Sequence, residues 1–90
     1  MAAFMISYDL NQLGQNYSNL FEAIKALGTW WHCLDSTWIV KSNLTASGIR
    51  DILQRHIDSN DKLIVVRLTG EAAWTNSFGA NCSNWLKNNL

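Results

Sequence analysis

Ala3-Phe4-Met5-Ile6-Ser7-Tyr8-Asp9 is an apolar and aromatic run that stops at a carboxylate, and the reading of the whole chain turns on it. A strand apolar at both alternating sets of positions suits the interior of a sheet, with a neighbour on each side. Its last residue opens onto a polar loop, 10–16, with one glycine, a length that joins a strand to a helix. Asp9 is therefore the first candidate for chemistry.

Outward from this strand the periodicity changes. Tyr17, Leu20, Phe21, Ile24 and Leu27 fall on one helical face, with Asn16 placed to cap the start and Gly28 to end the last turn in a left-handed conformation. Residues 29–35 and 37–42, rich in Trp, Val, Ile and Thr, read as an antiparallel hairpin reversing at Asp35-Ser36. Asn43 to Ser47 offers N-caps for a second helix with Ile49, Ile52, Leu53, His56 and Ile57 on its apolar side, ending at Asp58-Ser59-Asn60. Leu63-Ile64-Val65-Val66-Arg67-Leu68-Thr69 is a β-branched run that fits a buried strand. Residues 71–79 carry aromatics without period, read as loop or short edge strand, and 81–89 read as a short helix with Cys82, Trp85 and Leu86 on its apolar side.

The order strand, helix, strand, strand, helix, strand with short connections predicts an α+β, ferredoxin-like βαββαβ domain. Its sheet is four-stranded and antiparallel, with the first and last strands adjacent in the middle and the two helices on one face. The domain spans 1–90, with a core over about 3–70 and an extension over about 71–90. The other sheet face is bare unless the tail or a second subunit covers it. Trp30 and Trp31 are adjacent on a strand and point to opposite faces, so at least one needs cover beyond the helix layer, which hints at an interface.

Ninety residues make one domain, and a partner subunit would add to a modest core. Seven basic and seven acidic side chains cancel, which removes any general electrostatic pull towards nucleic acid and leaves only local contacts. Cys33 and Cys82 lack zinc-site spacing and read as reduced, buried or half-buried thiols. No apolar run approaches about 18 residues and the start lacks a basic stretch, so neither membrane span nor signal peptide is expected, and a cytoplasmic location is.

A first strand ending in Tyr8-Asp9, a helix closing on Leu27-Gly28, a hairpin strand Ser36-Thr37-Trp38-Ile39-Val40 and a last strand from Lys62 to Leu68 together carry a resemblance. They resemble the small CRISPR-associated endoribonuclease and integration-complex subunit superfamily, whose plan the VapD-type toxins and GhoS-type antitoxin endoribonucleases share. The stretch 44–53 is similar to the second-helix entry of the GhoS-type antitoxins. Two departures stand out: uncharged residues 10–16 replace the family's basic cluster, and Asp35-Ser36-Thr37 replaces its glutamine-serine pair.

The resemblance implies a homodimer in which Asp9 of each copy meets its twin across a two-fold axis. The pair would hold Mg²⁺ or Mn²⁺ and activate water against an RNA phosphodiester. The bland reading of Asp9 is a turn residue bonding amides of the loop at 11–16. The alternative function is a non-catalytic dimeric module of a toxin-antitoxin or phage-defence system, binding RNA, a nucleotide or a protein. Tyr8, His32, Ser36 and Arg67 are the further candidate ligand contacts. Tyr8 alternates away from Asp9 and also reads as a core aromatic; Arg67 reads as a phosphate contact or as a salt-bridge partner of Asp35 or Glu71. Trp30, Trp31 and Trp38 read as base-stacking groups or as core and dimer aromatics.

Overall fold

β1 (Ala2–Asp9) lies between β3 (Thr37–Ser42) and β4 (Lys62–Leu68) and runs antiparallel to both. This computed structural model describes residues 1–11 and 16–90; residues 12–15, most of the loop expected over 10–16, lie outside the described residues. β2 (Trp30–Leu34) pairs antiparallel with the far side of β3, which sets the strand order β2-β3-β1-β4. The domain is thus α+β with a four-stranded antiparallel sheet. β1 and β4 are adjacent as expected, but the middle pair is β3 and β1, and β4 is an edge. Its β-branched run suggests burial on two faces, yet only alternate residues are covered: Leu63 and Val65 pack on the core while Ile64 and Val66 are 56% and 38% exposed.

One face of the sheet carries α1 (Ser18–Lys25) and α2 (Ala46–Leu53). Phe4 and Ile6 of β1 and Trp38 and Val40 of β3 meet Leu20, Ile24, Ile49 and Leu53 of the two helices in one buried cluster. Each such side chain contributes about 1.5–3 kcal/mol on full burial, so this layer dominates stability. α2 starts at an expected cap, whereas the N-cap of α1 is Tyr17, one residue after Asn16, and makes no side-chain cap bond. Asn16 Oδ1 accepts the Ser18 backbone N–H at 2.9 Å, and Thr45 Oγ1 accepts that of Gly48 at 3.1 Å. α2 gives way to a 3₁₀ turn at Gln54–His56.

Gly28 departs from its expected role. α1 closes at Ala26 in a right-handed conformation, and Gly28 instead lets the chain pass against β3, where a Cβ would collide with the Lys41 carbonyl oxygen. Lys41 N–H bonds the Thr29 carbonyl at 2.9 Å beside this contact.

The second face is covered in part by the tail. After β4 the chain runs without regular structure to a 3₁₀ turn at Asn76–Phe78 and then α3 (Gly79–Asn89), with no strand over 69–75. Leu86 of α3 is buried with Ala3, Trp31 and Ile39, and Cys33, Leu68, Trp74, Phe78, Cys82, Trp85 and Leu90 pack around them. Trp30 and Trp31 do point to opposite faces, and the cover that Trp31 needs comes from α3. Its indole N–H donates to the Cys82 carbonyl at 3.2 Å.

The reading of Cys33 and Cys82 as reduced thiols is overturned, because the two form a disulfide joining β2 to α3. Their Cα atoms are 6.4 Å apart across 49 residues of sequence, a proximity that only the return of α3 onto the sheet creates. Among the described residues no helix is long and apolar enough to cross a membrane.

The Lys41 contact makes Gly28→Ala costly although alanine favours ordered structure elsewhere. Urea unfolding of this variant should show a loss of at least about 1 kcal/mol against the native chain, with an unchanged slope.

Candidate functional site

Alternation along β1 decides what each end-residue faces. Phe4, Ile6 and Tyr8 point to α1 and α2; Ala3, Met5, Ser7 and Asp9 point to the face that carries α3. Across the β1–β4 ladder that second face reads Ala3 opposite Leu68, Met5 opposite Val66, Ser7 opposite Ile64 and Asp9 opposite Lys62. Cover thins along this row. Ala3, beside α3, is 8% exposed, whereas Val66 and then Ile64 rise to 38% and 56%. α3 therefore hides one end of the face and leaves the Asp9 end open.

At that open end Ser7, Asp9, Lys62 and Ile64 border a shallow depression. Asp9 is exposed, and among the described residues no hydrogen bond or ion pair engages its carboxylate, Lys62 included. The expected amide bonds to loop 11–16 fall partly on residues outside the description. Among the described residues no three His, Cys, Asp or Glu side chains gather to hold a metal. A single free carboxylate is a fitting hard ligand for Mg²⁺ or Mn²⁺ but supplies only one anchor, with a lysine beside it.

The other candidates divide between faces. Tyr8 lies on the helix side, where its hydroxyl accepts the Trp38 indole N–H at 3.0 Å; burial pushes the phenol pKa up, against the smaller opposite pull of that bond. His32 lies flat on Trp38, ring centroids 3.7 Å apart and planes 11° from parallel, with Nε2 at 3.3 Å from the Asp35 carbonyl oxygen. Phe21 stacks on Trp38 from α1, and Trp30 leans on it while Lys25 sits 5.3 Å from the Trp30 ring. These rings form one packed group centred on a buried tryptophan, in which Trp30 is exposed and His32 and Phe21 are half-buried.

Ser36, in the β2–β3 turn, acts through its carbonyl, which accepts the Tyr8 backbone N–H at 3.1 Å and the Ser7 hydroxyl at 3.2 Å. The turn therefore fixes the end of β1. Arg67 is at the opposite end of β4, in register with Phe4 and exposed. At about 3.4 Å per residue, five positions separate it from the Asp9 end by roughly 17 Å. Among the described residues it makes no ion pair with Asp35 or Glu71. Tyr8, His32 and Ser36 are thus brought together, Asp9 is adjacent but faces the other way, and Arg67 is remote.

Sequence reading passed over Asp61, which organises the chain beyond Asp9. It is 9% exposed and accepts from three donors: the Asn11 backbone N–H at 2.8 Å, the Asp58 backbone N–H at 2.9 Å and the Tyr17 hydroxyl, which lies 3.0 Å from each carboxylate oxygen and shares its one proton between them. Asn11 Nδ2 also reaches the Asn60 carbonyl at 2.9 Å. Asp61 so ties the exit of β1 to the entry of β4 and the start of α1. The available signal was an aspartate in a polar run directly before a strand, a position that bonds backbone amides.

The Asn11 N–H, then those of Asp58 and the Tyr17 hydroxyl, hold the Asp61 carboxyl below its ordinary value, against the opposite push of burial. A depressed folded pKa contributes stability that is complete above the unfolded value of 3.8 and is lost as pH falls through the folded one. The urea midpoint should therefore drop between about pH 6 and about pH 3. Asp61→Asn should lower it at about pH 6 and flatten this dependence, as measured by fluorescence-detected unfolding.

No family model matches this chain, and no solved structure matches it significantly.

Proposed function

We propose that the chain is a ferredoxin-like, homodimeric and metal-dependent endoribonuclease, in which Asp9 from each of two copies binds Mg²⁺ or Mn²⁺ against an RNA phosphodiester. The observation that carries the reading is the free Asp9 carboxylate at the one end of the second face that α3 leaves open, beside exposed Ile64 and Val66. A two-fold axis over this end would bury those side chains against their twins and bring the carboxylates together. The strand order β2-β3-β1-β4 with two helices on one face supports the fold assignment. A metal held by the two Asp9 carboxylates would supply a water of lowered pKa and polarise the phosphate. The chain's own part is to aim Asp9, through the Ser36 bonds to β1 and the Asp61 bonds beyond it.

A second reading keeps the dimer and drops catalysis. It is favoured by Lys62, whose positive charge lies in register with Asp9 and opposes a cation there. The protein is then a binding module for RNA, a nucleotide or a protein partner in a toxin-antitoxin or defence setting. Both readings place it in the cytoplasm.

In the test, the native chain, Asp9→Ala and Ile64→Lys are compared for RNA cleavage with and without Mg²⁺ or Mn²⁺, and for mass by sedimentation. The nuclease reading expects a dimer that cleaves only with metal, an Asp9→Ala dimer that does not cleave, and an Ile64→Lys monomer that does neither. Cleavage undiminished in Asp9→Ala would remove it. RNA binding without cleavage in the native dimer would establish the second reading instead.

A further inference from the structure

The two hydrophobic clusters differ in what they need. The cluster under α1 and α2 draws on no residue beyond Val65, whereas the cluster on the second face is built around Leu86 of α3. α3 can therefore leave the sheet without opening the main core. The arm that leads to it, 69–75, has no regular structure and is mostly exposed, so no rigid element presses α3 into place. Its apolar attachments are Leu86 with Phe78, Cys82, Trp85 and Leu90, and among the described residues its polar ones are two: the Trp31 indole to the Cys82 carbonyl at 3.2 Å, and Lys41 Nζ to the Asn89 carbonyl at 3.1 Å.

Docking also carries a cost. Among the described residues the buried Trp85 indole N–H has no hydrogen-bond partner, a donor that water would satisfy if the helix were free. The α3 start has no side-chain cap. Beside these reversible contacts stands the covalent Cys33–Cys82 bond, which keeps the start of α3 beside β2 whatever their balance.

From this we infer that Cys33–Cys82 is a redox latch. Its reduction frees α3 and the arm before it from the sheet as one unit, uncovering Trp31 and Ile39, which Met5 of β1 joins in one row to the exposed Val66 of β4. The chemistry is thiol-disulfide exchange with a dithiol. A thiolate of the reductant attacks one sulfur, the other protein sulfur leaves as a thiolate and takes a proton, and the second reductant thiol then closes to release the first. The protein gains two thiols and the reductant becomes a disulfide. The latch operates whether or not Asp9 holds a metal.

The test is amide exchange by mass spectrometry on the oxidised chain and on the chain reduced with dithiothreitol, with thiol alkylation to confirm each state. Reduction should speed exchange across 79–89 by at least about tenfold while β1, β3, α1 and α2 keep their rates. An anilinonaphthalene sulfonate dye should brighten on reduction and dim again on reoxidation. The double variant C33S/C82S should show the reduced pattern without reductant. Unchanged exchange in α3 after reduction would mean that packing alone holds the helix. Equal acceleration in every element would mean that the bond supports the whole domain. Either result overturns the latch.

Discussion

The alternation of β1 governs both layers of the molecule, because this one strand is walled by neighbours on each side and by side chains above and below. Phe4 and Ile6 fill the core under α1 and α2, while Ala3 is small enough to let Trp31 and Leu86 close over the opposite face. A slip of one residue would drive Ser7 into the main core and expose Ile6, and it would exchange the surroundings of Tyr8 and Asp9. The hydrogen bonds from Ser7 and Tyr8 to the Ser36 carbonyl fix that register at the end where it matters. The exposure of Asp9 is a consequence of core packing several residues away.

Much of this frame was legible. Apolar and β-branched runs located every strand and a period near 3.6 both main helices, and Asn16 and Thr45 marked the helix starts as acceptors of first-turn amides. The position of β4 was not, since Leu63 to Leu68 is apolar except at Arg67 and composition does not say whether its second face is covered. The sequence of Gly28 pointed to a special backbone site but not to its cause, which is the carbonyl of a residue in another strand. Long-range partnerships were the least legible. Nothing local in Cys33 or Cys82 announces a bond across 49 residues, and Asp61 becomes a hub only when Asn11 and Tyr17 are folded against it.

The candidate site followed the same division. That Asp9 ends a buried strand could be read directly. That Tyr8 and His32 are spent on packing Trp38, on the far side of the sheet from Asp9, required the fold. Aromatic residues beside a strand-end acid suggest a ligand surface, but here hydrogen bonding and stacking already occupy most of their faces.

The sheet has two unlike edges. β2 has an irregular register between Trp31 and Leu34 and is bonded to α3 through Cys33, whereas β4 is regular over seven residues and has no strand beyond it. A chain with one usable border can join a like border and then has none left, so association through strand edges closes at a pair instead of growing into a fibre. Antiparallel joining of two β4 strands would, however, set Lys62 of one against Leu68 of the other and send the two Asp9 residues to opposite ends. Edge contact and carboxylate pairing are therefore competing geometries, and a pair that brings the acids together must meet through the sheet face.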